Sequence, residues 1–232
     1  MIGPLIEKHL TPKDEFIFGF ADLRGLLHPK FSKYPFGISI GKKLDDNILD
    51  NLIDGPTLEY YKHYNNINKF LADLTQRIQI DLRNNNINSI AIKPTISLGS
   101  SDYRKYLKHL TYDISHKMVA TRAGLGWIGK TDLLITKKFG PRLRLVTILL
   151  DRDLGTTAVP IDKSNCGKCN ICVEKCPAQA ANGMLWNIKV HRDQFFNAFK
   201  CREKCGELAK QRLNVDERIC GLCVSVCPVG KK

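Results

Sequence analysis

The first 165 residues contain no cysteine, and all nine cysteines of this 232-residue chain lie after them. A disulfide framework for the larger part of the molecule is thereby excluded. No uninterrupted apolar stretch approaches the roughly 20 residues that a membrane-spanning helix needs, so no membrane partner is expected. The segment from Met1 to Pro12 lacks the apolar run of a secretory signal. Repeats and low-complexity segments are missing too, which argues against a solenoid or a disordered tail. Aromatic residues make up only 8% of the chain, and they are not interleaved with basic residues into the stacking platform that single-strand binders use. Acidic residues are in the minority: 23 Asp and Glu face 36 Lys and Arg, a formal charge of +13. The cations gather at Lys130, Lys137, Lys138, Arg142 and Arg144, and again at Lys189, Arg192, Lys200, Arg202, Lys204, Lys210 and Arg212. Such a surface suits an acidic electron-carrier protein or nucleic acid; ordinary solvated charge explains it equally well.

What is present is a cysteine pattern. Cys166, Cys169, Cys172 and Cys176, followed at once by Pro177, spell C-x2-C-x2-C-x3-C-P; Cys220, Cys223 and Cys227 with Pro228 spell C-x2-C-x3-C-P. Iron–sulfur clusters need thiolates at about this spacing, and in two-cluster ferredoxins the fourth cysteine of one run crosses to the other cluster. Two [4Fe–4S] clusters need eight thiolates. The spacing assigns Cys166, Cys169, Cys172 and Cys227 to the first, and Cys176, Cys220, Cys223 and Cys201 to the second. Cys205 is then spare, although spacing barely separates it from Cys201. Zinc also takes C-x2-C pairs, but a run of four cysteines ending in Pro is not its habit. Disulfides suit small secreted domains. Thiolate clusters without an export signal point to a reducing cytoplasm.

The cysteine distribution divides the chain into residues 1–160 and 161–232, with Gly155–Pro160 as connector. In the first part, Phe36–Ile40 reads as a strand, Asp45 to Asp54 as a helix ended by Gly55-Pro56, and Ser89–Ile92 as another strand. Tyr60, Tyr64, Ile67, Leu71, Leu74 and Ile78 recur at helical spacing and form one apolar stripe, stopped by Asn84-Asn85-Asn86. Lys117–Ala123 reads as a further helix. Thr131–Thr136 and Leu143–Leu150 read as neighbouring strands joined by a turn. Mixed helix and strand argue an α/β layered domain.

Between those elements, Gly124-Leu-Gly-Trp-Ile-Gly129-Lys130-Thr131 satisfies both G-x-G-x-x-G and G-x-x-x-x-G-K-[ST]. Both motifs hold phosphate only when a strand enters the loop and a helix leaves it. Here a helical stretch enters and a strand-like stretch leaves, so nucleotide binding is not expected. Three glycines suit instead a planar ligand packed on the backbone or a tight helix-to-strand reversal.

The segment from His116 to Lys130, the strands after it and the cysteine framework resemble the epoxyqueuosine reductase family, cobalamin-dependent enzymes with two [4Fe–4S] clusters that are related to the corrinoid reductive dehalogenases. The resemblance implies an α/β (α+β) N-terminal sandwich fused to a C-terminal two-[4Fe–4S] ferredoxin-like domain. Electrons would pass from a low-potential flavodoxin- or ferredoxin-type donor through the two clusters to cobalamin. Gly124, Leu125, Gly126, Trp127, Gly129 and Lys130 would line the corrinoid side. Asp113 is the available acid for proton donation, with His116 as the alternative. The tRNA-modifying members continue into a helical-repeat tail, whereas this chain stops four residues after Pro228; a small organic or nucleoside substrate is therefore expected ahead of tRNA. The competing expectation is an electron-transfer or activating protein that serves a partner enzyme.

Overall fold

The computed structural model describes residues 3–95 and 101–231. Along the chain its elements are α1 (Gly3–Glu7), β1 (Phe16–Asp22), β2 (Phe36–Lys43), α2 (Asp46–Asp50), α3 (Leu58–Asn84), β3 (Ser89–Ile92), α4 (Ser101–His109), α5 (His116–Arg122), β4 (Trp127–Ile128), β5 (Leu134–Ile135), β6 (Leu143–Leu150), α6 (Ile171–Glu174), α7 (Arg192–Phe195), α8 (Ala198–Leu213) and α9 (Leu222–Ser225). Two compact units emerge. The first comprises residues 1–43, 67–125 and 144–161, and the second residues 44–66, 126–143 and 162–232.

The first unit is mixed α and β, as the alternating patterns predict. Its sheet runs β1-β2-β6-β3. β1 and β2 pair antiparallel with Phe18 opposite Ile40, and β3 and β6 pair antiparallel with Ile90 opposite Leu149. Side chains alternate across a strand, so β6 faces two ways. Val146, Ile148 and Leu150 meet the α3 stripe of Leu71, Leu74, Ile78 and Leu82. Leu149 packs with Val119 and Ala123 around α5. Phe16, Phe18 and Phe20 alternate along β1, a strand signal that the reading of the sequence passed over; α4 escaped it because its stretch is mostly polar.

Two expectations need correction. The helix expected over Asp45–Asp54 is a short one, Asp46–Asp50, with the Asp45 carboxylate accepting from the Asn47 N–H at 2.8 Å. The expected strand neighbours are not paired. β5 pairs with β4 in a two-stranded sheet, whereas β6 lies between β2 and β3 in the larger one. Apolar, β-branched composition marks a strand but carries no information about its partner.

In the second unit, the cysteine runs each wrap one helical turn. Asn170 precedes α6 and Gly221 precedes α9. Gly221 has φ +88°, and a Cβ there would stand 2.7 Å from both Leu52 and Tyr60. Only glycine meets both demands. α8 opens on Asn197, whose side chain accepts from the Lys200 N–H at 3.0 Å, and ends on Asn214 in the left-handed region.

Candidate metal centre

The cysteines sort into two groups by which thiols crowd one another. Cys172 is pushed up to about 11 by burial first, then by neighbouring Cys227, Cys166 and Cys169, with the Thr131 hydroxyl pulling the other way. Burial likewise raises Cys227, and Cys166 and Cys169 add to it. One member of the second run therefore sits with three of the first. In the other group, burial raises Cys223, and Cys201, Cys220, Cys172 and Cys176 add to it. Cys201 and Cys205, one helical turn apart on α8, bring their sulfurs to 3.9 Å. Cys205 also hydrogen-bonds Cys220, which it pulls down while its own thiol is driven up. Five sulfurs thus gather where a cluster needs four, and both candidates for the eighth ligand lie among them.

All nine cysteines are free thiols, none of them fully buried as a residue. Among the described residues, no three Cys, His, Asp or Glu side chains converge closely enough to hold one metal ion. A [4Fe–4S] cluster is gripped at four separate irons, so its thiolates stand apart. The donor set, four thiols in one group and five in the other with Cys227 of the second run beside the first, would fit two such clusters.

The glycine loop has its own chemistry. α5 ends with the Gly124 N–H on the Thr121 carbonyl (3.2 Å) and the Leu125 N–H on the Ala120 carbonyl (3.0 Å), with Gly124 at φ +68°. This is a Schellman termination, which demands a residue tolerant of the left-handed region. A Cβ on Gly126 would lie 2.2 Å from the Ile135 carbonyl oxygen, and one on Gly129 would lie 2.8 Å from the Ile135 side chain and 3.6 Å from the Cys166 sulfur. The glycines therefore serve a helix-to-strand reversal and close backbone packing. Trp127 is buried, with its indole N–H on the Cys166 sulfur at 3.4 Å. Lys130 is 3% exposed and donates to the Asn170 side chain at 2.7 Å. Of the six residues assigned to the corrinoid side, Gly126, Trp127, Gly129 and Lys130 thus pack against protein neighbours.

Arg142 was read as part of a basic surface, and that reading is corrected. Its side chain is 1% exposed, donating to Asp46 (3.0 Å), Asp50 (2.5 Å) and the Ser225 carbonyl (2.9 Å), two residues before Cys227. No sequence signal separates it from the solvated lysines at 137 and 138. With Lys130 also buried and Arg144 tied to Asn68 at 3.0 Å, only Lys137 and Lys138 of that run stay exposed.

Asp113 and His116 lie in the first unit. Lys105 (2.7 Å) and Lys30 hold the Asp113 carboxylate, and these hydrogen bonds lower it to about 2. It is ionised at neutral pH and carries no proton to give. His116 opens α5. Its Nε2 stands 3.0 Å from the Lys93 carbonyl, which can only accept, so Nε2 carries the proton and Nδ1 accepts from the Thr147 hydroxyl at 2.8 Å. Burial lowers it to about 4, opposed by the Lys93 hydrogen bond and aided by the Arg144 charge. The imidazole is neutral near pH 7 with both nitrogens engaged.

No protein-family profile matches the chain. Epoxyqueuosine reductase from Lactococcus garvieae is 32% identical over 120 residues, 49% of this chain and 31% of that protein. The one from Xanthomonas campestris pv. campestris is 31% identical over 147 residues, 62% of this chain and 37% of that protein. The matched stretch is thus about a third of those relatives' length. Among solved structures, a catabolic reductive dehalogenase superposes with a TM-score of 0.67 at 14% identity, covering 93% of this chain and 30% of that one. Epoxyqueuosine reductase from Streptococcus thermophilus gives 0.62 at 18% identity, covering 99% and 66%. An epoxyqueuosine reductase with an epoxyqueuosine-modified tRNA stem loop gives 0.60 at 16% identity. The resemblance to epoxyqueuosine reductases stands in sequence, and the fold is the one these oxidoreductases share.

Proposed function

We propose that this chain is an iron–sulfur oxidoreductase of epoxyqueuosine reductase type. Two [4Fe–4S] clusters in its ferredoxin-like C-terminal part, residues 161–232, pass single electrons from a low-potential donor toward a small organic or nucleoside substrate. The observation that supports this reading is that Cys227 of the second run crowds Cys172 together with Cys166 and Cys169, while Cys176 and Cys172 of the first run act on Cys223. That arrangement would keep the two clusters near each other, as one-electron relay requires. Cys166, Cys169, Cys172 and Cys227 would hold the first, and Cys176, Cys201, Cys220 and Cys223 the second. Lys200 and Lys210, exposed on α8, suit the approach of an acidic flavodoxin- or ferredoxin-type donor. The nucleoside class is favoured by the tRNA stem loop bound to one structural relative.

A second reading is an electron-transfer or activating protein for a partner enzyme. It is favoured by one observation: Trp127 and Lys130, the side chains assigned to a corrinoid, are buried against Cys166 and Asn170 instead. Anaerobically prepared protein should contain eight irons and eight acid-labile sulfides per chain if two [4Fe–4S] clusters are bound. An iron-free, zinc-loaded or colourless preparation would remove both readings. Titration with cobalamin then separates them: a stoichiometric spectral change belongs to the reductase, and an unchanged spectrum to the relay.

A further inference from the structure

The glycine loop matches two phosphate-binding patterns and serves neither. Its buried polar groups point elsewhere. The Trp127 indole N–H meets the Cys166 sulfur at 3.4 Å, and the Thr131 side chain is a neighbour that holds the Cys172 thiol down against burial. Both side chains are buried, at 5% and 6% exposure, and both partners belong to the same thiolate group. The loop reaches them because Gly126 and Gly129 carry no side chain: a Cβ at either would collide with Ile135, and at 129 it would also press toward Cys166. Lys130, donating to Asn170 at the start of α6, ties the same loop to the helical turn between Cys169 and Cys176.

We propose that Trp127 and Thr131 are the potential-setting residues of the first cluster, with the glycine loop holding the Trp127 N–H on one of its four thiolates and Thr131 beside another. This rests on the two-cluster reading. Reduction adds one negative charge to a cluster, and that charge spreads onto its sulfur ligands. An N–H or O–H aimed at a ligand sulfur stabilises the reduced state more than the oxidised one and raises the potential. Burial strengthens the effect, since no water competes for the sulfur. Arg142 is the other cation near this group, but Asp46 and Asp50 offset its charge. Its part is to fix the Ser225 carbonyl and the turn leading to Cys227. Trp127 and Thr131 act on sulfur directly, and neither is asked to touch substrate.

Trp127→Phe removes the N–H and keeps the ring; Thr131→Val removes the hydroxyl and keeps the shape. Each variant is prepared anaerobically, assayed for iron and sulfide, and titrated redox-metrically by electron paramagnetic resonance and visible absorbance. Iron and sulfide should match the parent protein. One of the two midpoint potentials should fall in each single variant and further in the double, while the other does not move. Should Trp127→Phe fail to retain iron, Thr131→Val decides alone. Full iron content with both potentials unmoved overturns this inference and leaves the cluster reading intact. Parent protein without iron and sulfide removes the cluster reading and this inference with it.

Discussion

Thirteen buried apolar side chains, from Ile6 to Leu150, form one continuous cluster in the first unit, where residues 67–84 of α3 lie along the sheet. In the second unit, the cysteine runs ride on α6 and α9, helices of four residues each. A helix that short cannot hold itself in water. It persists because something grips its ends: a glycine turn, the Arg142 guanidinium on Ser225, and, on the reading above, iron. The first unit is thus stabilised by area removed from water; the second buries apolar side chains too, among them Leu49, Phe139, Phe195 and Leu222, and on the proposed reading adds ligation to them. One should tolerate loss of metal; the other should not.

The largest expected effect follows directly. Anaerobic chelation of iron should abolish amide-exchange protection across residues 162–231 while β1, β2 and the Leu71–Leu82 part of α3 keep theirs. Equal loss in both units, or none in either, would break the contrast. Next comes Cys201→Ser, expected to cost about half the iron, whereas Cys205→Ser retains it all; the reverse pattern would make Cys205 the eighth ligand. Leu74→Ala tests the other side. It should destabilise the first unit by about 2–5 kcal/mol in denaturant unfolding, with the iron content and visible spectrum unchanged.

Smaller effects come from two titratable groups of the first unit, His116 and Asp113. His116 titrates near 4 when folded, against its ordinary 6.5. As pH falls, the unfolded chain takes up this proton first, so stability declines from about pH 6.5 to about pH 4 and then levels. His116→Gln should flatten the thermal midpoint across that window, and an unchanged slope would refute the assignment. Smallest is Asp113→Asn. The folded carboxyl sits near 2, so its ion pairs are intact above about pH 4 and are lost toward pH 2. At neutral pH the variant should cost about 1 kcal/mol or less, measured by thermal unfolding.

Periodic patterns were legible wherever the physics is local. The α3 stripe announced itself because i, i+3 and i+4 neighbours share a face, and Ser89–Ile92 was recovered at the same bounds. The order of elements around the glycine loop was legible too: α5 enters and β4 follows, the reverse of what a phosphate loop needs. The partner of β6 was not, because composition marks a strand and long-range pairing chooses its neighbour. Arg142 was unreadable for a similar reason. Its burial depends on Asp46, Asp50 and Ser225, up to 96 residues away.

Cysteine spacing belongs to the local kind. Thiolates two or three residues apart span a cluster edge whatever surrounds them, so the cluster reading of the C-terminal third rests on the chain alone. Which side chains stand over those sulfurs could not. That Gly129 needs to be bare, and that an indole N–H meets Cys166 across 39 residues, are consequences of folding. Contact between distant segments is decided by packing, and no local pattern encodes it.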